Sequence, residues 1–255
     1  MHKTPSWLNL PSLSLSMKAL FTGYILVAGL GLLMAGAQIM LTHGMADGKP
    51  GLSVDDIVYS YYGNREGSKL ESKLHGSMKD KATPEENIIM IRWARNGAPE
   101  AEWKPTIKPI VDAKCAACHT NTPTLPDVTD YKTMQQIAEV DQGAEISALT
   151  RVSHIHLFGI SFIFFFIGLI FSLAVGFNRW VKALLIFTPF AFLIFDIAGW
   201  WLTKFYPGFA YLTIIGGIGY SMAAAVMMFS SLYQMWITPL NGRVSDENSW
   251  KDESL

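Results

Sequence analysis

Four long apolar runs interrupt an otherwise polar chain. Residues 19–41, 155–177, 181–203 and 208–236 carry few charges or none. About 20 such residues in a helix cross the hydrocarbon core of a bilayer. The pattern therefore predicts an all-α protein with four transmembrane helices. The divisions it draws are a polar leader at 1–18, spans at 19–42, 153–177, 181–203 and 208–236, and a polar tail at 237–255. Between the first two spans lies a stretch rich in Gly, Pro and charge, residues 43–152, which reads as a small helical domain outside the bilayer. The tail has mixed charge and no apolar period, and is expected to be flexible.

Composition agrees with this division. Half of the 255 residues are apolar and 16% are charged, where roughly a quarter is usual for a soluble protein. The formal net charge is −1, which gives no reason to expect nucleic acid as a partner. Ala35-Gly36-Ala37 has the small residues of a signal-peptidase site. The run before it is long for a signal core, so the segment is expected to stay as an anchor.

Short-loop lysines and arginines set the expected orientation. With four spans, Lys3, Lys18, Arg179, Lys182, Arg243 and Lys251 share one side, and Lys204 alone sits in a short loop on the other. The positive side is cytoplasmic. Both termini are then expected inside, with the polar domain in the periplasm of a bacterial inner membrane. Trp200, Trp201, Tyr206 and Trp236 near span ends suit an interfacial belt.

Both cysteines of the chain lie in Cys115-Ala116-Ala117-Cys118-His119. Cys-x-x-Cys-His is the attachment pattern of c-type haem. Two thiols one turn apart can add to the two vinyl groups of one porphyrin, and the next residue, His119, is then held under the iron as an axial ligand. A zinc site would need further ligands, and there is no second cysteine pair. A redox dithiol would want a βαβ setting. One covalent haem c is therefore expected, on the outer side of the membrane.

The flanks of the motif resemble class I cytochromes c, with the two halves of that fold in swapped order. Trp103–Lys114 leads into the motif as the opening helix of that family does, and Leu125–Tyr131 is similar to the family's segment just after its haem motif. The closing half lies upstream. Ser68–Met78 resembles the approach to the distal methionine, and Thr83–Ala98 resembles the final helix. The likeness covers roughly residues 60–135. It implies His119 and Met78 as the two ligands of the haem iron. His75, Met90, Met134 or a histidine of the membrane part remain alternatives for the sixth position. Within Thr83–Ala98, Thr83 with Glu86 forms a capping box and Pro84 suits the first turn. Ile88, Ile89, Ile91 and Trp93 supply an expected apolar face, and Gly97 can end the helix.

A second cluster lies near the outer membrane surface. His43 ends the first span, and His154 and His156 begin the second. They suit a b-type haem, a metal or the rim of a quinone pocket, or are simply interfacial. Two residues apart on a helix, His154 and His156 point in different directions. Asp196 lies inside the third span, and an ionisable residue there is a candidate catalytic group. Gly216, Gly217, Gly219 and Ser221 read as small packing residues.

Three functions are compatible with these features. The first is an electron carrier between a membrane redox complex or quinol and a periplasmic electron carrier, docked against other membrane subunits. The second is a quinol-oxidising enzyme with another cofactor, haem b or quinone, at His43, His154, His156 and Asp196. The third is a haem-based sensor or accessory subunit.

Overall fold

The computed structural model describes residues 8–42, 44, 51–122, 125–242 and 248–250. The described residues are helical, apart from turns and one isolated antiparallel bridge between Ser68 and Val140. The helices are α1 (Leu15–Thr42), α2 (Val54–Tyr61), α3 (Lys69–His75), α4 (Pro84–Arg95), α5 (Glu100–Glu102), α6 (Lys108–Lys114), α7 (Ala116–His119), α8 (Tyr131–Ala138), α9 (Ile146–Ser172), α10 (Arg179–Phe205) and α11 (Ala210–Leu240). A π-helical turn (Trp103–Ile107) joins α5 to α6, and a 3-10 turn (Pro207–Phe209) precedes α11. The chain divides into two compact units.

The membrane unit gathers the described residues up to Gln38, Ile146–Leu202, and those from Gly208 onward. It contains most of the four helices that are long and apolar enough to cross a bilayer, as a multi-pass membrane protein requires. The second of them starts at Ile146, earlier than the hydropathy boundary at 153, because a helix continues past the apolar run into polar sequence. On α9, Ser153, Phe164, Ile167, Gly168 and Phe171 are buried, at the three- and four-residue spacing of one helix face. On α11, Gly216, Ala223, Ala224, Met227, Ser231 and Met235 are buried. Helix α1 shows mostly exposed apolar side chains, and Tyr24 ties it to α9 by donating to the Ile163 carbonyl at 3.1 Å.

The described ends of the chain meet at the turn after α9. Leu10 donates from its backbone to the Leu173 carbonyl at 2.9 Å. Ser249 donates its N–H to Leu8 at 3.1 Å and its hydroxyl to the same Leu173 carbonyl at 2.8 Å. Lys182 donates to the Ser249 carbonyl at 3.1 Å. The part of the tail at 248–250 is therefore docked, in contrast to the flexibility expected from its composition. A handful of backbone bonds and one buried lysine replace the apolar periodicity that the segment lacks.

The polar unit gathers the described residues of Ile39–Glu145 together with Thr203–Pro207. Its core is built from Leu70 and Leu74 of α3, Met90, Ile91, Trp93 and Ala94 of α4, then Trp103, Ile107, Val111, Val128, Met134 and Ala138. Three rings line up through it. Trp93 and Trp103 stand 5.7 Å apart, and Trp103 and Tyr131 5.8 Å apart. Both polar tips are satisfied: Trp93 Nε1 donates to the Pro99 carbonyl and Tyr131 to the Ala98 carbonyl. Truncating such a buried tryptophan to Ala costs about 3–5 kcal/mol.

Local signals explain α4 well. Thr83 accepts from the Glu86 N–H at 3.2 Å and Glu86 accepts from the Thr83 N–H at 2.8 Å, with Pro84 in the first turn. Gly97 ends the helix at φ 83°. Its buried face differs from the expected one. Met90, Ile91, Trp93 and Ala94 turn inward with Asn87, while Ile88 and Ile89 are 55% and 36% exposed. At about 100° per residue, Ile88 falls on the far side of the helix from Met90 and Ala94 and cannot share their face.

Glu100 to Lys114 is helical throughout in spite of two interior prolines. Pro105 lacks a donor and its ring would strike the carbonyl four residues back. The π turn at Trp103–Ile107 widens the helix there. Where the chain enters and leaves this unit, two segments are knitted together. Asp141 donates its N–H to the Gly67 carbonyl and Ala144 to the Ser60 carbonyl, at 2.9 and 3.0 Å. Gly63, at φ 88°, allows this: a Cβ there would collide with the Gly143 nitrogen.

Candidate functional site

Val111, fully buried, anchors α6 in the core and so fixes the residues just after it. Cys115 closes α6 by donating its N–H to the Val111 carbonyl at 2.8 Å. Its side chain is half-buried against the core, whereas Cys118, one turn on, is exposed. Burial, then the Glu86 carboxylate and then Cys118 push the Cys115 thiol above the usual thiol value. His119 stands at the end of α7.

The imidazole of His119 is oriented by the loop on its C-terminal side. Its Nδ1 lies 2.8 Å from the Pro126 carbonyl oxygen. A carbonyl only accepts, so Nδ1 carries the proton and, in the neutral ring, Nε2 keeps a bare lone pair. The loop is held just after Pro126. Val128 is buried, and Asp127 Oδ1 accepts from the Thr129 hydroxyl at 2.6 Å and its N–H at 3.0 Å. These two donors hold the Asp127 carboxyl below the usual aspartate value. Asp130 then caps α8 by accepting from the Thr133 N–H.

Met78 sits in the turn after α3, donating its N–H to the Lys73 carbonyl at 2.8 Å. It is partly buried and packs on the same apolar cluster as Cys115. The other candidates for a distal ligand are placed differently. Met90 and Met134 are 0% and 1% exposed and fill the core itself. His75 is exposed and lies 3.7 Å from the Glu71 carboxylate, which Arg95 also grips. The residues present fit a covalent haem: two thiols a turn apart, a histidine of fixed tautomer, and an uncommitted thioether beside the same core. A zinc site fits less well, because no group of three or more His, Cys, Asp or Glu side chains converges among the described residues.

In the membrane unit the histidines separate. His43 lies outside the described residues. His154 is exposed and rests on Phe158, ring centroids 5.2 Å apart. His156 is half-buried, its ring set edge-on against Trp200 at 5.1 Å, and its Nδ1 bonds the Val152 carbonyl at 2.9 Å. Trp200 in turn donates its indole N–H to Asp196 Oδ1 at 2.9 Å, and Tyr220 of α11 neighbours that carboxyl. Asp196 is 5% exposed. Trp201 donates to the buried Ser153 hydroxyl at 3.0 Å. The sequence marked Asp196 and the histidine pair; Tyr220 as a neighbour of Asp196 only emerges once α10 and α11 are packed. Glycines make that packing close. A Cβ on Gly216 would lie 2.6 Å from the Asp196 nitrogen, and one on Gly199 would lie 2.5 Å from Thr213 Oγ1. Gly219 similarly abuts the Phe192 ring, whereas Gly217 meets only the Tyr220 hydroxyl at 3.8 Å.

No curated protein and no solved structure matches the chain. Residues 128–241 match the model of a family described as a transmembrane helical domain. The match runs from just before α8 to the end of α11, so it takes in His154, His156, Asp196 and Tyr220 and leaves out α1 and the Cys115–His119 motif. The chain is thus similar to that family over its last three spans, with the thiol-and-histidine motif lying upstream of the likeness.

Proposed function

We propose that this chain is a membrane-anchored c-type cytochrome. In this reading one haem is carried by Cys115, Cys118 and His119, with Met78 as the distal ligand. It moves single electrons between a membrane redox complex, or a quinol, and a periplasmic acceptor. The protein sits in a bacterial inner membrane, with both termini in the cytoplasm and the polar unit in the periplasm.

The observation that carries the reading is the 2.8 Å hydrogen bond between His119 Nδ1 and the Pro126 carbonyl. A metal-ligating histidine commonly gives its other ring N–H to such an acceptor, which fixes ring and tautomer and raises ligand basicity. When bound, the haem supplies one-electron chemistry at its iron. The chain's own residues hold it. The Cys115 and Cys118 thiols would hold it through thioether bonds, and His119 Nε2 and the Met78 thioether would ligate its iron. The apolar cluster behind Cys115 keeps water from that side. The packing of α4 against Trp103 and Ile107 supports the reading of exchanged halves, which pack as neighbours in a class I cytochrome c. The meeting of Leu8 and Ser249 at one turn agrees with termini on a common side.

The test is to purify the full chain in mild detergent and record the pyridine haemochrome spectrum before and after acid extraction. One acid-resistant haem per chain, lost in Cys115→Ser/Cys118→Ser, is expected. Protein without covalent haem would overturn the reading.

A further inference from the structure

We propose that His156, with Trp200, Asp196 and Tyr220, forms a headgroup site for a lipid-soluble quinol in the membrane unit. His156 Nε2 accepts a hydrogen bond from a quinol hydroxyl. The inference rests on the electron-carrier reading for where electrons go, and names their source.

His156 is the acceptor because its Nδ1 is committed to Val152 while its Nε2 has no partner among the described residues. Its neighbours on α9, Ile155, Leu157 and Phe158, are exposed apolar side chains. That favours a ligand arriving through hydrocarbon. Two indoles provide flat walls. Trp200 stands against the His156 ring, and Trp201 is pinned by Ser153. Aromatic walls suit a flat, ring-shaped headgroup.

The same cluster provides a place for protons. Trp200 touches His156 on one side and hydrogen-bonds Asp196 on the other. Asp196 makes no ion pair among the described residues. Intramembrane ionisable groups of this kind mark proton and substrate paths. Nearby, Thr213 Oγ1 is buried and has no hydrogen-bond partner, directly against Gly199. An orphaned buried hydroxyl calls for a water or a ligand oxygen. His154, stacked outward on Phe158, takes no part.

The chemistry balances. One quinol gives one quinone, two electrons and two protons. The electrons leave singly to two equivalents of a one-electron acceptor of the c-haem class. One proton passes to His156 Nε2 and the other to the Asp196 carboxyl, and both are then released to water.

The experiment is equilibrium binding of a radiolabelled decyl-tailed benzoquinol, under argon, to the full chain in mild detergent. Saturable binding is expected. His156→Leu should weaken it about tenfold, the worth of a lost hydrogen bond in a partly desolvated site. His156→Gln, which restores an acceptor, should recover most of that loss, and His154→Leu should bind as the parent does. Absence of saturable binding, or equal binding by His156→Leu, overturns the proposal. Haem content is measured on the same samples. Quinol binding without covalent haem fails the electron-carrier reading alone, and haem without quinol binding fails this one alone.

Discussion

His119 and Pro126, seven positions apart in sequence, are joined by a 2.8 Å hydrogen bond, and that bond decides which ring nitrogen of His119 is left to act. In the proposed cytochrome the second ligand of the iron would tune its potential, and that ligand would be Met78. Met78→Ala should lower the midpoint potential and alter the visible spectrum of the holoprotein. His75→Ala should change neither, because His75 is engaged near Glu71 on the surface. A redox titration with parallel spectra decides the matter, and an unaltered Met78→Ala would remove Met78 as ligand.

The two thiols should react at different rates before haem is attached. Cys118 is exposed, while Cys115 is half-buried and its thiol is pushed up by burial and by Glu86. The thiolate is the reactive form. Timed iodoacetamide labelling of haem-free protein, followed by peptide mass mapping, should find Cys118 modified first. Glu86→Gln should narrow the gap.

Thr83→Ala removes the side-chain half of the α4 capping box. The expected loss is about 1 kcal/mol of stability in the polar unit. Thermal melts of the full chain followed by far-ultraviolet circular dichroism would measure it. Glu86→Gln can still accept from the Thr83 N–H and should cost less.

Gly216→Ala places a methyl group against the Asp196 backbone, where there is no room. Overpacking of this kind costs about 1–3 kcal/mol. A lower melting temperature in detergent is expected, together with weaker quinol binding if α10 moves. Gly217→Ala, with only the Tyr220 hydroxyl at 3.8 Å, should be tolerated.

Acid should loosen the loop that carries Pro126. The Thr129 hydroxyl and N–H lower the folded-state value of Asp127, with Lys108 and His119 adding to the effect. The stabilisation is therefore fully present above the ordinary aspartate value of about 4 and is lost as pH falls through the lower folded one. Relative to Asp127→Asn, the parent should keep a constant advantage in melting temperature above about pH 5 and lose it progressively below about 4. A difference that does not change over that range would show that the Thr129 bonds do not stabilise the charged form.

Much of this molecule is readable along the chain, because the signals involved are local. Four apolar runs fix four helices, since an unbroken helix is the economical way to satisfy backbone polar groups in lipid. Thr83, Pro84, Glu86 and Gly97 bound α4 because caps act within one turn of the residues they serve. Cys115, Cys118 and His119 stand together for the same reason, as neighbours on one short helical stretch.

What tertiary structure alone decided are the partnerships between residues far apart in sequence. Periodicity shows that α4 has an apolar side, but only packing against Trp103 and Ile107 selects Met90 and Trp93 over Ile88 and Ile89. The sequence offers His154 and His156 as equals; the position of Trp200 separates them. Asp196 is visible as a lone acid in a span, yet its neighbour Tyr220 comes from the next helix, brought in by glycines that let two backbones touch. The docking of Ser249 on Leu8 and Leu173 is invisible in composition, because it depends on which carbonyls a helix end leaves unpaired. Local chemistry writes the elements into the chain, and the choice of neighbours waits for close packing.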